Sequence, residues 1–265
     1  MSGEREQGLR GRRIMITRPA GQSSALADEI LERGGEPLLF PVIAIEPPES
    51  WSRCDDLLKT IATYDAIAIT STNAVEGLFQ RGTHLGLGRD DWQAVHWYAV
   101  GDTTATALKN RGIETVTGEE ATADGLARFL TKTDLNGQRF LLPVGNRSRG
   151  ILSEVLAQHG AVVDTVPVYR TVDTTPPTVN RVQRLFAENA IDVVTFASPS
   201  AVRRFLQLID RRNSFGEDKR AVIAVIGPTT AEAVTSEGLL PAIIASHSSA
   251  EGLAAAIEQY YQKTR

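Results

Sequence analysis

The chain of 265 residues holds one cysteine, Cys54, and four histidines, His84, His96, His159 and His247. A single cysteine excludes a disulfide framework and a multi-cysteine metal cluster, and the histidines lack the spacing of metal ligands. No apolar run approaches the ~18 residues of a membrane helix. The longest are residues 38–45, broken by Pro41, and 221–226. Residues 1–13 are charged and lack an apolar core, so a secretory signal is excluded and a disordered tail is expected. A cytoplasmic protein follows. Lys plus Arg number 28 and Asp plus Glu 32; the excess negative charge falls between Phe40 and Val172. With no basic stripe, no nucleic-acid partner is expected, and no membrane partner either. G-x-G-x-x-G after a strand, G-x-x-x-x-G-K-[ST], G-x-S-x-G, H-E-x-x-H and C-x-x-C are all absent. Gly86-Leu87-Gly88 is expected in a polar loop leading to no helix N-terminus. Cys54, in a polar helical stretch, is expected to be structural.

What the chain does contain is a second copy of itself at an offset of 126 or 127. Gly11-Arg12-Arg13-Ile14-Met15-Ile16 resembles Gly137-Gln138-Arg139-Phe140-Leu141-Leu142. Pro41-Val42 matches Pro167-Val168, and Thr70-Ser71-Thr72-Asn73-Ala74-Val75 matches Ala197-Ser198-Pro199-Ser200-Ala201-Val202. Val100-Gly101-Asp102-Thr103-Thr104-Ala105 matches Ile226-Gly227-Pro228-Thr229-Thr230-Ala231, and Gly34 and Gly112 match Gly160 and Gly238. Order and near-constant offset make chance improbable.

Each copy alternates short apolar runs with amphipathic stretches. Strands are expected at 14–17, 66–70, 97–100, 115–116, 140–143, 163–166, 193–196, 223–226 and 243–245. Helices are expected at 23–33, 73–81, 103–111, 124–132, 149–159, 179–188, 200–211, 229–237 and 250–262. Gly34, Gly112, Gly160 and Gly238 stand where C-caps belong. The class is therefore α/β, with two similar domains, each a parallel sheet flanked by helices. The Pro-containing extended segments 40–45 and 164–172 are repeat equivalents; if they pair antiparallel they form a two-stranded linker, an expectation that the repeat carries only together with the family resemblance given below. One domain is then 46–163, and the other joins 1–39 to 173–265.

Ligands of open parallel sheets bind beyond the carboxyl ends of the strands. Six short loops follow strands here, at 18–23, 71–73, 101–104, 144–149, 198–200 and 227–230, and each is expected to open a helix. Such turns present free N–H groups at the positive end of a helix dipole, which suits anions. The competing reading is plain N-capping, since Ser, Thr and Asn are the preferred caps. Arg18, Arg147 and Arg149 would add charge-assisted bonds. Tyr169, in the second linker segment, matches Ile43 in the first copy, so the duplication does not explain its phenol. A packing role and a role as donor or weak acid weigh equally.

The Thr17-Arg18-Pro19 strand end, the turns 70–75 and 196–202, the linker Val166-Pro167-Val168-Tyr169 and Ile226-Gly227-Pro228-Thr229-Thr230-Ala231 together resemble the uroporphyrinogen-III synthase family, over most of the chain. That resemblance implies two α/β domains and a lyase that cyclises hydroxymethylbilane to uroporphyrinogen III. Water is lost, ring D is inverted through a spiro intermediate, and neither metal nor other cofactor is used. It implies a tetrapyrrole substrate bearing eight carboxylates, a monomer, and hydroxymethylbilane synthase as the enzyme handing the substrate over. Tyr169 matches the family's linker tyrosine, the candidate that helps the hydroxyl leave. Ser71, Thr104, Ser198 and Thr230 match substrate-contacting loop positions, with Thr103, Ser200 and Thr229 beside them. Asn73 matches the bacterial form of its turn. Gly145, Arg147 and Arg149 lie in the loop expected to complete the substrate site. Two other readings compete: a non-catalytic tetrapyrrole-binding regulator of the same fold, and a hinged solute-binding protein. A regulator is expected to carry a further domain, for which the sequence after the last repeat-matched helix leaves no room.

Overall fold

In a computed structural model the described residues are 8–216 and 221–263. Along the chain run the strands β1 (Arg13–Ile16), β2 (Glu36–Leu39), β3 (Ile43–Glu46), β4 (Ala66–Ile69), β5 (His96–Ala99), β6 (Val116–Thr117), β7 (Arg139–Gly145), β8 (Val162–Asp173), β9 (Val193–Phe196), β10 (Val222–Val225) and β11 (Ile243–Ile244). They form two sheets, in the orders β2-β1-β9-β10-β11 and β3-β8-β7-β4-β5-β6. Within the first sheet, and from β8 to β6 in the second, every pairing is parallel. The chain divides into two compact units: Ile45–Thr171, and the described residues on either side of it.

The strand orders carry the duplication into three dimensions. In repeat terms β1, β2, β9, β10 and β11 correspond to β7, β8, β4, β5 and β6. Both sheets therefore read 2-1-3-4-5, but each takes its first two strands from one copy and its last three from the other. The seam between copies is tied in the same way twice. The Arg13 N–H donates to the Asp192 carboxylate (2.9 Å), and the Arg139 N–H donates to Asp65 (2.8 Å). Each aspartate returns its own N–H to the same arginine's carbonyl, at 2.9 and 3.0 Å.

The expected C-caps form four copies of one device. Gly34, Gly112, Gly160 and Gly238 have φ of +79°, +76°, +86° and +73°, a region open to glycine at little cost. Their N–H groups donate to Leu31, Lys109, Ala157 and Thr235. The next residues, Gly35, Ile113, Ala161 and Leu239, donate to Ile30, Leu108, Leu156 and Val234, completing Schellman motifs.

Each unit has its own cores, one on either side of its sheet. In the unit Ile45–Thr171 one core gathers Leu78, Trp92, Trp97 and Val168, and the other Leu126, Phe140 and Leu156. In the flanking unit they gather Phe40, Phe186, Phe196 and Phe205, and Leu9, Ile30, Leu253 and Ile257.

Several expectations change. Of the expected N-terminal tail, residues 1–7 lie outside the described residues. Residues 8–13 are not a tail, because Leu9 is fully buried and Arg12 bonds Asp192 at 2.9 Å. The linker segment 40–45 is strand only from Ile43: residues 40–42 connect Glu36–Leu39, which pairs with β1, to Ile43–Glu46, which neighbours β8. The expected helix 200–211 ends at Leu208. Ile209 turns extended (φ −125°, ψ 127°) to bury its side chain, and a second short helix follows, Arg211–Phe215. The expected helix 149–159 begins only at Ile151, since Gly150 takes a left-handed conformation (φ +75°). Gly88 does precede a helix, Arg89–Gln93, and donates its N–H to the Asp91 carboxylate (2.7 Å).

Candidate active site

A 2-1-3-4-5 order reverses direction between its first and third strands, and the loops there diverge to opposite faces of the sheet. In the flanking unit this point lies between β1 and β9, and in the Ile45–Thr171 unit between β7 and β4. The residues singled out by sequence distribute around these points. Arg18 follows β1, and Ser198 and Ser200 follow β9. Ser71 and Asn73 follow β4, and Gly145, Arg147 and Arg149 close β7 or follow it. Thr103 with Thr104, and Thr229 with Thr230, stand one strand further out, after β5 and β10.

Ser71 and Ser198 are N-caps in both units. They share one extended conformation (φ −158° and −161°), and their oxygens accept from the Ala74 and Ala201 N–H groups. The capping reading therefore holds for both side chains. Thr104 and Thr230 are third residues of their helices and are buried at 4% and 3% exposure, whereas Thr103 is exposed. Of the threonines at these two loops, Thr103 and in part Thr229 are the ones that reach the surface. Arg147 and Arg149 are exposed. Arg18 is half-buried, and burial holds its guanidinium below its ordinary pKa. A partly dehydrated cation of this kind gains most from an incoming anion.

The Ile45–Thr171 unit brings together three of the expected residues. Tyr169 lies on β8 beside the end of β7, and the Ser71 hydroxyl donates to its phenolic oxygen at 3.3 Å. Gly145 lies against the ring: a Cβ there would stand 2.4 Å from the Tyr169 Cζ and 2.7 Å from its oxygen. Gly145 thus serves the tyrosine as empty space. Sequence reasoning missed Asn146, whose side-chain amide brackets the Thr171 backbone, accepting from its N–H (2.8 Å) and donating to its carbonyl (3.3 Å). Asn146 follows the last β7 residue, and only its place in the strand-end loop marked it.

Cys54 is buried, and its thiol is pushed up to about 12, first by burial and then by neighbouring Asp55. A thiol so far above neutrality is a poor nucleophile. Among the described residues, no three His, Cys, Asp or Glu side chains gather to hold a metal ion, and no helix is long and apolar enough to cross a membrane.

Comparison with known proteins agrees with this arrangement. Residues 24–255 match the family model described as uroporphyrinogen-III synthase HemD. The uroporphyrinogen-III synthase of Synechococcus elongatus is 32% identical over 98% of this chain and 99% of its own length. That of Chlorobaculum parvum is 28% identical over 93% and 98%. The fold is similar to that of a crystallised mutant uroporphyrinogen III synthase from Thermus thermophilus (TM-score 0.70, 20% identity, covering 95% of this chain and 99% of that one). A uroporphyrinogen-III synthetase from Helicobacter pylori also matches in fold (TM-score 0.54, 17% identity, 97% and 100%). With the family model spanning most of the sequence, the chain belongs to the uroporphyrinogen-III synthase family.

Proposed function

We propose that this chain cyclises hydroxymethylbilane to uroporphyrinogen III. Loss of the terminal hydroxyl as water leaves an electrophilic azafulvene. Ring D attacks it through its substituted α-carbon, giving a spiro intermediate that breaks and recloses with ring D reversed. The linear substrate closes without help to the uninverted isomer, so the protein's task is to select the attacking carbon. Holding a flexible chain in one reactive pose is worth up to about 7–11 kcal/mol in favourable cases. Positioning of that sort needs many weak contacts and few reactive groups.

The observation that carries the reading is the Tyr169 phenol beside Ser71 and Gly145 at a switch point of the sheet, in a chain of this family. Tyr169 would protonate the departing hydroxyl. Arg18, Arg147 and Arg149 and the helix N-termini at Ser71, Asn73, Thr103, Thr104, Ser198, Ser200, Thr229 and Thr230 would hold the substrate's carboxylates. Supply by hydroxymethylbilane synthase, a monomeric working state and a cytoplasmic location belong to the same reading.

An antiparallel linker of β3 with β8 is also part of it. The strands are hydrogen-bonded neighbours. The Thr174 N–H donates to the Val42 carbonyl (2.9 Å), and the Arg170 guanidinium meets Glu46 (2.8 Å). As one position advances from 42 to 46, its partner retreats from 174 to 170.

The test is a product-isomer assay. Freshly generated hydroxymethylbilane is supplied, and the oxidised products are separated into type I and type III. Predominantly type III is expected. Type I alone, at the spontaneous rate and with a folded sample, would favour the tetrapyrrole-binding regulator instead.

A further inference from the structure

Strands β7 and β8 run in step from Arg139 opposite Val162 to Val144 opposite Pro167, but the next pair is Gly145 with Tyr169. Val168 is the extra residue of a β-bulge. A bulge re-aims the side chain that follows it, and strand neighbours otherwise alternate between faces. Three further residues accommodate this one. Gly77, within helix Thr72–His84, leaves room for the displaced strand: a Cβ there would lie 2.3 Å from the Val168 carbonyl oxygen. Gly145 leaves room for the ring, and Asn146 brackets Thr171 two residues beyond the tyrosine. The re-aimed phenol ends beside Ser71.

Ser71 has one hydroxyl proton and two lone pairs. Its oxygen accepts the Ala74 N–H (3.1 Å) and stands 3.3 Å from the Tyr169 oxygen, within reach of its own proton. When the Tyr169 oxygen accepts that proton, the phenol's own hydrogen is turned away from Ser71 and is available to a second acceptor. We infer that Ser71 is a positioning residue, whose hydroxyl donates to the Tyr169 oxygen and so directs the Tyr169 proton toward the departing hydroxyl, while any hold on a substrate carboxylate falls to the backbone of the helix start. This inference rests on the reading of Tyr169 given above.

A double-mutant cycle tests it. Turnover, KM and type III fraction are measured for the wild type, Ser71→Ala, Tyr169→Phe and the double variant. Ser71→Thr, which keeps the hydroxyl, and Ser71→Gly are measured beside them. Glycine costs a helix cap only a few tenths of a kcal/mol, so Ser71→Gly removes the hydroxyl with the fold intact even if alanine disturbs it. The expected result is about a tenfold fall in kcat for Ser71→Ala and Ser71→Gly, the scale of one hydrogen bond. KM is unchanged, Ser71→Thr restores kcat, and the loss is under twofold when Tyr169 is already Phe. A loss that persists in the Tyr169→Phe background, a rise in KM at constant kcat, or no loss at all would overturn the inference. A wild type that makes no type III product would instead sink the proposed function.

Discussion

The Asp55 carboxylate accepts two hydrogen bonds from Arg81, from Nε at 2.6 Å and Nη2 at 2.5 Å, and so ties helix Ser52–Leu58 to helix Thr72–His84. Bonding to the guanidinium holds the Asp55 pKa below its ordinary value. A carboxylate whose pKa is lower folded than unfolded adds stability above the unfolded pKa, about 3.9, and loses it as pH falls through the folded pKa. Asp55→Asn should therefore lower the urea midpoint at pH 7, and the gap from wild type should shrink on acidification below about pH 4. A gap of the same size at the acid end would mean that the pair's charge contributes nothing. Legibility at this scale follows how local the cause is. Ser71 and Ser198 were read as caps or ligand contacts, and their own backbone angles make both of them caps. The four C-cap glycines stood out because a left-handed residue after a helix needs nothing beyond its neighbours. Tyr169 could not be weighed, because its direction depends on a bulge whose accommodating residues, Gly77 and Gly145, are remote in sequence.

Helix Thr72–His84 carries the Ser71 cap at its start, and Gly77 lets its second turn lie against the Val168 carbonyl. Alanine is the better helix former by about 1 kcal/mol, so helix propensity alone favours Gly77→Ala. The contact at 2.3 Å is with backbone, which cannot swing aside as a side chain can. Overpacking of this kind typically costs about 1–3 kcal/mol, so the clash should win. Gly77→Ala is expected to lower the urea midpoint and, by shifting the bulge, to slow turnover as well. A variant as stable as wild type or more so would show that helix and strand separate freely at Val168. Elements with their own periodicity and punctuation were readable from sequence, and Val193–Phe196 falls where expected. Those shaped by distant burial were not. Ile209 breaks a helix pattern to reach a core.

Both cores of the Ile45–Thr171 unit are made wholly of its own residues, and both cores of the flanking unit are likewise its own. The alternation of strands and helices and the duplication were legible, since each repeats a local pattern. The exchange of strand pairs between copies was expected only from the repeat-equivalent linker segments taken with the family resemblance, because locally either pairing satisfies the same clamp of arginine N–H to aspartate and the same 2-1-3-4-5 order. A unit with complete cores, whose sheet is cut at the boundary only through β3 and the end of β8, is expected to fold alone, with stability in the usual range of about 5–15 kcal/mol. Residues 45–171 are continuous and can be expressed directly. The flanking unit needs one new connection, and the hydrogen bond from Thr174 to Val42 shows that its two chain segments already lie side by side there. A short Gly-Ser loop from Ala44 to Val172 should suffice, because loop-closure entropy rises only slowly with length. Each piece should give a helical and sheet circular dichroism spectrum and a single cooperative urea transition. Neither should form type III product, since the proposed carboxylate-holding loops are divided between them. A 45–171 fragment that melts without cooperativity would show that its sheet depends on the flanking chain. A fragment that makes type III product by itself would show that Arg18, Ser198, Ser200, Thr229 and Thr230 are dispensable.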